Sequence, residues 1–135
     1  LINELVGAGK IAMNLEGHNM KVTFHDRYYL GRHNKEVDAP RDALKSAGII
    51  TVEMPRNGAK SFCCGAGGAQ MWKEEENGTE RVNTARFAEA KATGAKTLAV
   101  GCPFCITMLG DAATADGGTV AVKDVAEIVA EKLVR

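Results

Sequence analysis

Short runs of β-branched and apolar residues alternate along this chain with longer stretches of helical spacing. Lys21-Val22-Thr23-Phe24-His25, Ile49-Ile50-Thr51-Val52, Thr97-Leu98-Ala99-Val100 and Thr119-Val120-Ala121-Val122 each read as a buried strand. Helices fill the gaps. Asp38 is placed to cap one, with Pro40 in its first turn, Ala43, Leu44 and Ala47 on one face, and Gly48 as the stop. From about Thr79 to Ala92 the spacing puts Val82, Ala85, Ala88 and Ala92 on one face of a second helix, which ends at Gly94. Asp124 and Glu127 have the spacing of a capping box, followed by a stripe of Val125, Ile128, Val129 and Leu133. Strands separated by helices of this length predict an α/β fold: a parallel sheet of about four strands flanked by helices.

Composition narrows the class. With 135 residues, 45% apolar and 25% charged, the chain has the size and mix of one compact domain, residues 1–135. Seventeen basic residues balance seventeen acidic ones without a long like-charge run, so no footprint for nucleic acid or an anionic membrane surface is present. The longest uncharged stretch, Thr97 to Gly110, is broken by Gly101 and Pro103 and is too short to cross a bilayer as a helix. The opening Leu1-Ile2-Asn3-Glu4 has neither initiator methionine nor signal-peptide pattern, and reads as the start of a piece of a longer chain. The expected compartment is the cytoplasm, because four cysteines without an export signal point to metal or redox use rather than to disulfides.

Those four cysteines carry the chemistry. They fall in two pairs, Cys63-Cys64 followed by Gly65-Ala66-Gly67-Gly68, and Cys102-Pro103-Phe104-Cys105. In an open parallel sheet ligands lie beyond the carboxyl ends of the strands, and both pairs follow predicted strands there, as does His25-Asp26. Pro103 suits the first position of a helix, so Cys102 and Cys105 are expected one turn apart at a helix N-terminus, where the dipole favours thiolates. Gly65, Gly67 and Gly68 let backbone approach a bulky inorganic group and supply amide donors without side chains in the way. Two close pairs of soft sulfur are the usual protein site for an iron–sulfur cluster or zinc. Packing cysteines and a dithiol–disulfide pair at Cys102 and Cys105 are the other readings. The glycines match neither the dinucleotide fingerprint nor the phosphate loop. His25 reads as a hydrogen-bonded structural histidine more readily than as a ligand, His18 and His33 as exposed, Glu74-Glu75-Glu76 as a solvated face, and Met71-Trp72 as core, with a shield over a cluster as the other reading.

Further text surrounds the cysteines: His25-Asp26, Tyr29-Leu30-Gly31-Arg32-His33-Asn34, Ala39-Pro40-Arg41, Glu53-Met54-Pro55-Arg56, Phe62-Cys63-Cys64-Gly65 and Met71-Trp72. With Cys102-Pro103-Phe104-Cys105, it resembles the cysteine-rich CCG domain of the heterodisulfide reductase B subunit and related iron–sulfur oxidoreductases, including glycolate, lactate and anaerobic glycerol-3-phosphate systems. The resemblance covers nearly the whole chain and is closest to the C-terminal of two tandem copies. It implies electron transfer through an iron–sulfur cluster of the 4Fe-4S type held by Cys63, Cys64, Cys102 and Cys105, with Gly65, Gly67 and Gly68 against the cofactor. Its implied partners are upstream domains of the same chain and flavin or iron–sulfur oxidoreductase subunits, at the cytoplasmic face of a membrane where an upstream segment anchors the chain. Where the family places Pro and the first of five cysteines, this chain has Arg27 and Tyr28. A noncubane five-cysteine cluster therefore lacks one ligand, whereas an ordinary four-iron cluster or a tetrahedral zinc needs only four. A zinc-binding or metal-free domain that docks partner subunits is the alternative.

Overall fold

The computed structural model describes residues 1–16, 20–74 and 77–134; His18 and the end of the glutamate run lie outside them. Four strands, β1 (Lys21–Phe24), β2 (Ile50–Thr51), β3 (Thr97–Val100) and β4 (Ala121–Asp124), form one parallel sheet in the order β2-β1-β3-β4. Helices α1 (Ile2–Gly7), α2 (Asp38–Ser46), α3 (Val82–Ala92), α4 (Pro103–Ala115) and α5 (Val125–Ala130) cover it. The expected α/β architecture is therefore present.

All four residues of β3 are buried, as a central parallel strand requires. Its alternation divides the core: Leu98 and Val100 pack with Phe87, Ala90, Leu109 and Ala112 under α3 and α4. On the opposite face Ala99 joins Val22, Phe24, Leu44, Ile128 and Val129 under α2 and α5. Period two along β1 puts Val22 and Phe24 on the α2 side, so Thr23 and His25 face α3.

Several boundaries differ from the sequence reading, each for a local reason. β2 shortens to two residues because it is the sheet edge, paired on one side only. β4 begins two residues late, since Gly117 and Gly118 turn the chain in left-handed conformations before Val120 packs into the core. Asp38 is the first helical residue of α2 rather than its cap; the Glu36 carboxylate accepts from the Asp38 and Ala39 N–H groups instead. The capping box at Asp124 and Glu127 is present, but α5 ends at Ala130 and Leu133 pairs with Met13 in an isolated bridge.

The largest correction concerns α3. Its buried face is Asn83, Arg86, Phe87 and Ala90, whereas Val82 and Ala88 are exposed. The helical period holds and the phase is rotated, because two polar side chains find partners inside and displace alanines to the surface.

Candidate metal centre

β1 and β2 are joined through α2 on one side, and the chain then recrosses β1 to reach β3. The sheet thus reverses direction of travel between β1 and β3, and the crevice beyond their carboxyl ends is where open α/β sheets bind ligands. A cavity of about 550 Å³ lies there, lined by His25 after β1 and Cys102 after β3. Cys63, Cys64 and Cys105 line the same cavity, so the fold brings both cysteine pairs to one place. A cleft of about 660 Å³ beside Met71, Asn83, Met108 and Asp111 is larger but is lined by none of the cysteines.

Each cysteine owes its place to a local device. Cys102 is the residue before α4, in extended conformation, with Pro103 at the first helical position and Cys105 one turn later, as expected. The other pair rides on a loop fastened from below. Arg32, in the π-helical turn Tyr29–His33, donates to the carbonyls of Ala59 and Ser61 at 3.0 and 2.8 Å, holding the stretch of chain that leads into Cys63. Gly65 then reverses direction at φ +92°; a Cβ there would sit 3.2 Å from Met108 Cε.

All four thiols are free, with Cys64, Cys102 and Cys105 buried and Cys63 half-buried. Cys64 Sγ and Cys105 Sγ are 3.3 Å apart, and with a ring nitrogen of His25 they form a group whose atoms all lie within 4.8 Å of one another. The Gly65 N–H donates to Cys63 Sγ at 3.2 Å. Gly67 and Gly68 line the cavity and leave room above the sulfurs, whereas Gly65 lines the neighbouring cleft. The hydrogen bond between neighbouring thiols pushes the pKa of Cys63 up, and burial adds to this. For Cys64 the contact with Cys105 acts first, in the same direction. Converging sulfurs resist ionising together unless a cation lies among them. Soft donors, room for an inorganic core and an amide aimed at sulfur all fit a thiolate-bound metal group.

A polar network supports this edge. Arg86 is wholly buried; its Nε donates to His25 Nδ1 at 3.0 Å, its Nη1 to Arg56 O at 2.8 Å and Glu89 Oε2 at 2.7 Å, and its Nη2 to Ser61 Oγ at 3.3 Å. Burial, then the Arg86 charge, lowers the His25 pKa to about 3 against a smaller opposing pull from Asp26, so the ring is neutral. Asp26 in turn takes two bonds of 2.8 Å from Arg41 and one of 2.6 Å from Gly58 N–H. His25 is thus hydrogen-bonded as its sequence context suggests, and it is also part of the cavity wall. Arg86 is not visible as a site residue in the sequence; the His25-Asp26 step at a strand end is the signal that a buried partner is needed.

The mouth of the cavity is aromatic. Tyr28 and Phe104 line it, and Trp72 meets Phe104 edge-on with centroids 5.9 Å apart. Trp72 is 70% exposed, so the core expected for it is corrected: it stands at the rim. His33 is exposed, as expected. Tyr28, where the resemblance leads one to expect a fifth cysteine, is also largely exposed, beneath the Arg32 guanidinium at 5.4 Å. Among the described residues no helix is long and apolar enough to cross a membrane.

A parallel α/β domain with four free thiols around one cavity at its carboxyl edge defines the class, and the sequence comparisons give the family. Residues 22–110 match the cysteine-rich domain known as CCG, and this chain belongs to that family. It is 43% identical over 136 residues to the "Probable iron-sulfur-binding oxidoreductase FadF" of Bacillus subtilis, covering 98% of this chain and 19% of that protein. To the "EtfAB:quinone oxidoreductase" of Syntrophomonas wolfei it is 38% identical over 138 residues, 96% of this chain and 19% of the relative. To one component of the dihydromethanophenazine:CoB–CoM heterodisulfide reductase of Methanosarcina mazei it is 40% identical over 116 residues, 85% of this chain and 28% of the relative. The chain therefore spans about a fifth to just over a quarter of these relatives' lengths. No solved structure matches it.

Proposed function

We propose that this chain is the iron–sulfur-binding, electron-transferring domain of an oxidoreductase. The observation that carries the reading is the convergence of Cys63, Cys64, Cys102 and Cys105, from two loops distant in sequence, on one cavity at the switch point of the sheet. The names of the relatives, an iron–sulfur-binding oxidoreductase, an EtfAB:quinone oxidoreductase and a heterodisulfide reductase component, support it. A bound cluster, of the four-cysteine 4Fe-4S type, supplies one-electron acceptance and donation.

The protein's part is to hold and tune. The four thiolates are the ligands. Gly67 and Gly68 leave the approach clear, and the Gly65 N–H and the first amides of α4 lie beside the sulfur positions, where donors favour added negative charge. Phe104 and Trp72 limit water at the rim. Electrons come from and go to flavin or iron–sulfur partner subunits and further domains, on the cytoplasmic side of the membrane.

A second reading has one observation of its own: the 3.3 Å between Cys64 and Cys105 sulfurs is near the edge of a ZnS₄ tetrahedron, about 3.8 Å for a Zn–S bond of about 2.3 Å. In that case the domain is structural. Anaerobic reconstitution with iron and sulfide decides between them. A broad visible absorption that bleaches on reduction with dithionite is expected; a colourless product would refute electron transfer here.

A further inference from the structure

His25 stands where a metal ligand could, with a ring nitrogen in a group spanning 4.8 Å with the sulfurs of Cys64 and Cys105. Its other contact argues against that role. Arginine has donors only, so the Nδ1 that receives Arg86 Nε–H at 3.0 Å must present a lone pair. A neutral imidazole with a lone pair on Nδ1 carries its proton on Nε2, so Nε2–H is the polar hydrogen that the ring can offer to the cavity it lines. Ligation through Nε2 would require an imidazolate or loss of the bond to Arg86. Nor can the ring turn over to escape: a flip places Cδ2–H before the same guanidinium and forfeits the bond that Nδ1 accepts.

Arg86 is itself held. Three further bonds, to Arg56 O, Glu89 and Ser61 Oγ, fix its guanidinium in a wholly buried site, and the Ser61 hydroxyl is spent on Asp26 O at 2.9 Å. Glu89 faces Arg86 from the same helix and supplies the compensating charge. Fixed buried arginines are costly, and this one is aimed at a ring nitrogen on the cavity wall.

We propose that Arg86 locks His25 in its Nε2–H tautomer, so that His25 is a hydrogen-bond donor to the sulfur of the bound group and not one of its ligands. Arg86 is then a positioning residue, acting through His25. This rests on the proposed cluster-binding function. A donor to cluster or cysteine sulfur stabilises the more negative reduced state and raises the reduction potential.

Nitrogen-15 NMR of the histidine rings in the metal-free protein tests the lock without any variant. A pyridine-type Nδ1 and a protonated Nε2 are expected for His25; a protonated Nδ1 would overturn the proposal. In the reconstituted, reduced protein, pulsed EPR should show only weak nitrogen coupling, and His25→Gln, whose amide both accepts and donates, should keep the parent's iron content. His25→Phe, where it folds, should shift the midpoint potential to more negative values. Strong directly bound nitrogen coupling, or loss of iron in His25→Gln, would show ligation and sink the donor role. Absence of iron from the parent would refute the proposed function instead, and with it the donor role, while the metal-free spectrum still decides the tautomer.

Discussion

Cys64 Sγ and Cys105 Sγ lie 3.3 Å apart although 41 residues separate them in sequence. One belongs to a loop held by Arg32 and the other to the first turn of α4, so their meeting is a product of the whole fold. Cys64→Ala and Cys105→Ala should each abolish most iron binding. Removing one buried sulfur from the apolar cluster costs about 1 kcal/mol, so both variants should keep the parent circular dichroism. Iron retention at the parent level in either variant would show that its thiol is no ligand.

Tyr28 lines the cavity from an exposed position immediately before the turn Tyr29–His33. Tyr28→Cys should place a fifth thiolate within reach and change the absorption and EPR spectra of the reconstituted protein. Little stability is at stake, since a ring that is 62% exposed contributes little burial. An unchanged spectrum would mean that position 28 does not reach the metal.

Asp26 joins the end of β1 to α2 through its two bonds from Arg41. Burial raises its pKa, but the Arg41 hydrogen bonds, the Gly58 N–H and nearby positive charge outweigh this and hold it below the usual carboxylate range. Below the unfolded-state value of about 4 the unfolded chain binds the proton more readily. The stabilisation is therefore complete above that value and is lost as pH falls through the folded-state pKa. Asp26→Asn should destabilise the protein by about 3 kcal/mol at neutral pH and flatten its stability profile below about pH 4, as urea titrations would read. An undiminished acid slope in the variant would assign that slope to other groups.

Trp72 is the chain's single tryptophan and touches Phe104 at the cavity mouth. Its emission should fall strongly when a coloured iron–sulfur cluster is bound, because the cluster absorbs where indole emits. Zinc has no such absorption, so zinc loading should leave the emission nearly unchanged. Equal emission from iron-loaded and metal-free protein would place the bound group away from this rim.

Much of the fold and site is legible in the sequence, and the exceptions share a cause. β-branched runs and glycine stops reveal the sheet and its flanking helices, and the clustering of Cys63-Cys64 and Cys102–Cys105 points to the cavity. What periodicity does not show is a buried polar residue whose burial depends on distant partners. Arg86 looks like a solvent residue until His25, Ser61 and Arg56 O are in place around it, which is why apolar spacing alone gives the wrong phase for α3. Trp72 fails in the opposite sense: its size suggests core, but the loop around Gly68 and Ala69 carries it to the rim.

Metal and acid-labile sulfide analysis of anaerobically prepared protein tests the central claim most directly. Iron and sulfide in equal amounts, both lost together in a variant lacking Cys63, Cys64, Cys102 and Cys105, is the predicted result. One equivalent of zinc without sulfide, or no metal after reconstitution, would contradict it.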